Sequence, residues 1–415
     1  VWKLAQAFEV IGSGTTPKSD NRSYYDEGDI AWLNTGDLND GELDSCEKRI
    51  TPLALADHSS LKTFPAGSLV IAMYGATIGK LAILLFPATV NQACCVFSGR
   101  SPIETKFMFY WFLGLRQQII SLATGGGQPN VSQEILRSLR VACPDEIEQN
   151  QIATFLDRET AKIDELVAEQ RRLMALLKEK RQAVISHAVT RGLNPDAPLK
   201  PSGIEWLGDV PEHWEVGALG YLATVSSGST PDRGNPAFWG GDIPWIKTGE
   251  IDYLPICRAE EFITTAGLHG SSAKMSEPGT MLMAMYGQGV TRGRVAILEV
   301  AAAYNQACAA ISLGNRIDNK FAQNFFIAAY HFIRDTGNET SQMNLSTGII
   351  QKFQLTIPPI DEQIEINSFL DKEVAVIDTL TTEAQRAIDL LQERRTALIS
   401  AAVTGQIDVR GAVAA

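Results

Sequence analysis

Cations and amides recur in this chain at places where turns would hold them outward. Lys18, Arg22, Asn34, Lys80, Gln128 and Asn130 belong to the first part of the sequence, and Arg233, Lys247, Arg292, Arg294, Gln342 and Asn344 to the second. They lie in or beside stretches rich in Gly, Pro, Asn or Ser, which favour turns. Arg and Lys can fork onto guanine edges or meet phosphate, and Asn and Gln can fork onto adenine. Such a set would recognise nucleic acid by hydrogen bonding and would make or break no bond. Plainer roles stay open for each: solvated turn charge for the cations, local turn hydrogen bonds for the amides, and core packing for Trp32 and Trp245, which stand beside Asn34 and Lys247.

Groups that would do covalent chemistry do not assemble. An amino-methylating enzyme holds its target amine with an Asn/Asp-Pro-Pro-aromatic stretch, whereas the adjacent prolines here, Pro358-Pro359, follow Ile357 and precede no aromatic residue. Glu104-Thr105-Lys106 has the ending of a PD-(D/E)xK nuclease motif, but no Pro-Asp precedes it. The five histidines do not cluster, and the six cysteines form no Cys-x-x-Cys pair. No catalytic residue and no metal ligand is assigned. Cys94 and Cys308, inside apolar segments, read as small buried hydrophobes, and such reduced thiols imply residence in the cytoplasm.

The elements that would position the polar set come twice. Ala72-Met73-Tyr74-Gly75 returns as Ala284-Met285-Tyr286-Gly287, and Asn91-Gln92-Ala93-Cys94 as Asn305-Gln306-Ala307-Cys308, 214 positions later. Ser13-Gly14-Thr15-Thr16-Pro17 answers to Ser227-Gly228-Ser229-Thr230-Pro231, and Gly28-Asp29-Ile30-Ala31-Trp32 to Gly241-Asp242-Ile243-Pro244-Trp245. The chain is a tandem duplication of a domain-sized unit. Residues 1–145 and 204–358 look mixed and strand-rich, with short apolar runs such as 68–72 and 81–85 between Gly and Pro. A helix is expected over 106–123, where Phe, Trp and Leu recur at helical spacing. Ser132 is placed to cap a short helix reaching Leu139.

Residues 146–190 and 359–404 are of another kind, almost free of Gly and Pro. Leu156, Ile163, Gln170, Leu177 and Val184 fall every seven residues, with Leu166 and Leu173 in the alternate seam. The second copy offers Leu370, Ile377, Ala384, Leu391 and Leu398, with Leu380 and Ala387. Heptads maintained so long predict coiled-coil helices, and an apolar seam of that length has to be buried on something. Each helix is the other's natural partner. Such a helix is roughly 60 Å long at ~1.5 Å per residue. Residues 191–203 read as a linker and 405–415 as a tail. Antiparallel pairing would relate the two heads by an approximate two-fold axis. The fold class is therefore α+β, with two globular domains alternating with two long helices. The lead-in Glu205-Trp206-Leu207-Gly208-Asp209-Val210-Pro211-Glu212-His213-Trp214 has no counterpart before the first repeat, so the natural chain is expected to begin upstream of Val1.

No apolar run approaches the ~18 residues that cross a membrane. Net charge is −12, which counts against nucleic acid as ligand because phosphate neutralisation supplies much of such affinity. A local basic face or basic partners can override that average. The acidic balance leaves a second class open, a non-catalytic adaptor gripping proteins with two similar heads on a coiled-coil spacer.

In its order of globular, helical, globular and helical segments the sequence resembles the specificity subunit of type I restriction-modification systems. The Glu-Trp-Leu-Gly-Asp-Val-Pro lead-in, the Gly-Asp-Ile-x-Trp-x-x-Thr-Gly stretches ending at Gly36 and Gly249, the Met-Tyr-Gly loops and the Glu148-Gln149 and Glu362-Gln363 helix openings carry that resemblance across the whole chain. It implies two target-recognition domains, each reading half of a bipartite site in double-stranded DNA, and helices that set the spacer. It also implies two modification (methyltransferase) subunits carrying S-adenosylmethionine and two restriction (motor-nuclease) subunits using ATP and Mg, with no chemistry and no cofactor in this chain.

Overall fold

The computed structural model describes residues 1–123, 129–287, 290–335 and 344–410. They form two compact units, Val1–Arg171 with the stretch from Gln385 onward, and Arg172–Ala384. Two helices of 46 and 44 residues, Glu146–Arg191 and Ile360–Val403, run through this division. Each unit therefore holds one head together with parts of both long helices. This differs from a division drawn along the chain, because antiparallel pairing sets the beginning of one helix beside the end of the other.

In the first head five strands lie in the order Val10–Gly12, Cys94–Ser98, Leu69–Ala72, Leu81–Leu84 and Gly41–Leu43, antiparallel except for the last pair. The middle strands are buried along their whole length. A strand buried on both faces reads as a continuous apolar run, and alternate residues here enter two different cores. Leu69, Ile71, Leu81, Ile83 and Phe97 join the helix Thr105–Gly114 and Leu156, whereas Val70, Ala72, Ala82, Cys94 and Val96 meet Leu33, Phe64 and Val90. The second head repeats the plan in Met281–Ala284, Val295–Ile297 and Cys308–Leu313, with Met281, Met283 and Ile311 on one side and Leu282, Ala284, Ala296 and Cys308 on the other. Burial drives the Cys94 thiol up to about 12 and raises that of Cys308 as well, so both stay protonated near neutrality.

The helix expected over 106–123 is broken at Leu115 into Thr105–Gly114 and Arg116–Ser121. A Cβ on Gly114 would stand 3.0 Å from the Ser400 backbone nitrogen, so this helix end is pressed against the second long helix. The short helix Gln133–Ser138 follows Ser132, whose Oγ accepts from the Ile135 N–H at 3.2 Å.

Gln149 and Gln363 join head to helix. Gln149 Oε1 accepts from the Glu104 N–H at 2.7 Å while its Nε2 donates to the carbonyls of Pro102 and Pro144. Gln363 does the same with the Asp318 N–H and the Arg316 and Pro358 carbonyls. Both are buried and fully bonded, which is the condition on which a buried amide is tolerated.

Pairing of the long helices is antiparallel within each unit. In the first, Leu156 packs with Ile399 and Ala402, and Asp164 pairs with Arg395 at 3.0 Å. In the second, Arg181 meets Asp378 at 3.4 Å, and Ile185 and Val189 pack with Ile366 and Leu370. Leu156, Ile163, Leu177, Leu370, Ile377 and Ala384 are buried, while Val184, Leu391 and Leu398 are half-buried. The alternate seam is not the expected one. Leu166, Leu173 and Leu380 are exposed and only Ala387 of that seam is half-buried, whereas Thr160, Val167 and Met174 on one helix and Val374, Thr381 and Ile388 on the other are buried or half-buried. A period of seven admits a second seam three or four residues after the first, and packing takes the later one.

Residues 191–203 are not a free linker throughout. Leu199–Pro201 pairs antiparallel with Asp209–Pro211, and this hairpin delivers Leu207, Val210 and Trp214 to the core of the second head. Trp214 Nε1 donates to Glu362 Oε2 at 3.0 Å, and His213 Nε2 lies 2.8 Å from the same oxygen.

Candidate nucleic-acid interface

In each head the repeated motifs meet at one end of the main sheet. The Met-Tyr-Gly loop follows the middle strand, and the Met73 and Met285 N–H groups donate to Ala93 and Ala307 carbonyls, both at 2.8 Å. The Asn-Gln-Ala turn is closed by Asn91 and Asn305, whose Oδ1 atoms accept from the Ala93 and Ala307 N–H groups at 3.0 Å. On the far side of the Met-Tyr-Gly loop, the Val131 and Leu345 N–H groups donate to the Met73 and Met285 carbonyls. The Ser-Gly-x-Thr-Pro loop closes the rim. Trp32 Nε1 donates to the Thr15 carbonyl at 3.2 Å, and Trp245 Nε1 to that of Ser229 at 3.0 Å. The tryptophans are buried, as packing demands, and their N–H groups hold the loops.

On this common frame the first head presents open cations. Lys18 and Arg22 are exposed, the latter in the turn Arg22–Tyr24, and Lys80 is half-buried at the foot of the Met-Tyr-Gly hairpin. None of the three makes an ion pair among the described residues. Asn130 is exposed and bridges to Tyr74 across the loop. Asn34 departs from the expected forking reader. Its Oδ1 accepts from Asn91 Nδ2 at 3.1 Å, and its Nδ2 is buried with no hydrogen-bond partner. Strand pairing beside it turns the amide inward, where it holds the turn.

The second head compensates its cations. Arg233 Nη1 donates to Glu261 Oε2 at 2.6 Å while its guanidinium lies 3.9 Å above the Trp239 ring. Lys247 Nζ stands 3.0 Å from carboxylates of both Glu260 and Glu261. Arg233 foremost, then Lys247, hold the Glu261 carboxyl below its ordinary range, and Glu260 ahead of Glu261 raises the Lys247 ammonium. Arg292 Nη2 donates to the Arg334 carbonyl. The Arg294 guanidinium lies 5.7 Å from the Tyr253 ring centroid, with its Nε buried and lacking a hydrogen-bond partner. Asn344 is exposed beside Leu345. Gln128 and Gln342 lie outside the described residues.

Sequence reasoning passed over Gln92 and Gln306, which are exposed on this rim and bonded to Thr16 and Thr230. Their signal was present in the matched Asn-Gln-Ala-Cys stretches, which served only to mark the repeat. The acidic partners Glu260 and Glu261 carried no such signal.

A family model described as the type I restriction modification DNA specificity domain matches residues 1–172 and 211–389. The type I restriction enzyme MjaIX specificity subunit of Methanocaldococcus jannaschii is 24% identical over 307 residues, covering 72% of this chain and 68% of that protein. The EcoprrI specificity subunit of Escherichia coli is 23% identical over 92% of this chain and 89% of its own length. Among solved structures, a chain from work on complex assembly and conformational transition of the type I R-M system is similar with a TM-score of 0.75 at 15% identity, covering 97% of this chain and 96% of that one. The HsdS subunit from Thermoanaerobacter tengcongensis is similar with a TM-score of 0.56 at 15% identity, covering 98% and 96%.

Proposed function

Because the chain belongs to the type I restriction-modification DNA specificity family, we propose that its two heads each read one half of a bipartite target in double-stranded DNA, with the paired helices setting the spacer. The chain is the recognition subunit and not the catalyst. One observation carries the division of labour: a single rim framework occurs twice, dressed with Lys18, Arg22 and Lys80 in one head and with Arg233, Lys247, Glu260 and Glu261 in the other. Equal frames with unequal side chains suit two different half-sites. Family membership outweighs the adaptor class that the acidic balance left open.

Modification subunits would supply S-adenosylmethionine, and restriction subunits ATP and Mg, in the cytoplasm, with two copies of each around one specificity chain. Within the second unit Leu173, Leu176, Val376 and Leu380 are exposed on the long helices. An apolar surface of this kind supports partner docking there. Among the described residues no helix is long and apolar enough to cross a membrane.

Exchange of residues 204–358 for the corresponding head of another family member tests the division. Sequencing of methylated sites in cells expressing the assembled complex should show one half-site changed and the other retained. Loss of both halves would count against independent heads.

A further inference from the structure

Gln92 and Gln306 occupy the same place in the two heads and are built the same way. Thr16 Oγ1 donates to Gln92 Oε1 at 2.6 Å, and Thr230 Oγ1 donates to Gln306 Oε1. Each threonine arrives on a loop pressed against a strand backbone. A Cβ on Gly14 would come to 1.7 Å from the Val90 carbonyl oxygen, and one on Gly228 to 2.0 Å from that of Tyr304. Only glycine allows that approach, and the Trp32 and Trp245 indoles tie the same loops down. With the amide oxygen accepting from threonine, each exposed glutamine keeps its N–H donors unused among the described residues.

Rim positions fall into two groups. Asn34 and Lys247, or Lys80 and Arg294, differ between the heads, whereas the Thr–Gln pairs are identical. A group shared by two heads cannot distinguish two half-sites. A fixed donor common to both suits what every duplex presents alike, the phosphate backbone, whose contacts set register without reading sequence. We infer that Gln92 with Thr16, and Gln306 with Thr230, are matching grips, each donating an amide N–H to a DNA phosphate. This rests on the DNA-recognition role proposed above.

Gln92→Glu and Gln92→Lys test the grip in the complete complex with its modification subunits. Binding is measured against salt, on the site that the complex methylates and on duplexes with single base changes in each half-site, alongside thermal midpoints. Beside a phosphate, Gln92→Lys binds at least as tightly as wild type, with a log affinity–log salt slope steeper by about 0.9. Gln92→Glu loses about tenfold, the scale of one charge-assisted hydrogen bond. Both effects are the same on every duplex. If the two variants weaken binding alike, the pair only ties a turn; if base preference shifts, Gln92 reads sequence. Either result overturns the grip. A wild-type complex that binds its methylated site no better than random DNA overturns the recognition role itself, and the grip with it.

Discussion

Glu261 sits between Arg233 and Lys247 on the rim of the second head, and its low carboxyl pKa is a property of that arrangement. A phosphate has to displace this carboxylate to engage either cation, so arbitrary backbone gains less here than from open lysines. A carboxylate with a depressed folded pKa contributes its stabilisation above the unfolded value, ~4.3 for glutamate. That contribution is lost as pH falls through the lower folded value. Tryptophan emission reports the change, because the Arg233 guanidinium lies over Trp239. Wild type should show an acid transition only below the ordinary glutamate range, and Glu261→Gln should abolish it and show altered emission already at neutral pH. A wild-type transition at or above the ordinary glutamate range would contradict the clasp. Sequence offers Lys247 and Arg233 as candidate DNA contacts with no sign of their acidic partners, since Glu260 and Glu261 stand more than ten positions from Lys247 and reach it only through pairing of the strands Trp239–Ile246 and Glu261–Ile263.

For the long helices the heptad arithmetic located one seam and misplaced the other. Leu166 and Val167 are both apolar, as are Leu173 and Met174, and nothing along one helix chooses between them. The partner helix chooses, burying Val167 and leaving Leu173 exposed. Leu177→Ala should therefore cost about 2–5 kcal/mol, the usual range for truncating a buried leucine. Leu173→Glu should stay within about 0.5 kcal/mol, as for an exposed site. Urea midpoints of the purified chain measure both, and the reverse order would restore the seam drawn from sequence. The strands were easier to read. Runs such as Leu69–Ala72 are buried on both faces, so they show as unbroken apolar stretches between turn residues.

In the molecule as a whole, the second head is bound to the helices through Gln363, through Trp214 on Glu362 and through the core around Ile185 and Val189. Extra residues in the loop 192–198 should then be absorbed without moving the head. Length added to the helices should not be. Seven residues inserted into both, one heptad at matching points, add roughly 10 Å at ~1.5 Å per residue. At ~3.4 Å per base pair the spacer should lengthen by about three base pairs with both half-sites kept. Sequencing of methylated sites reads the result, and an unchanged spacer would retire the helices as a ruler.

The order of residues was enough to establish the duplication, the strand-rich heads, the two long helices and the family, because each rests on local periodicity or on motifs that recur along the chain. Tertiary structure alone decided which half of each helix goes with which head, which leucines face inward, and which rim cations stay open. It also set Gln92 on Thr16 and turned Asn34 inward. All of these depend on partners brought close in space from distant positions, and a pattern of spacing along one strand or helix carries no record of what lies across from it.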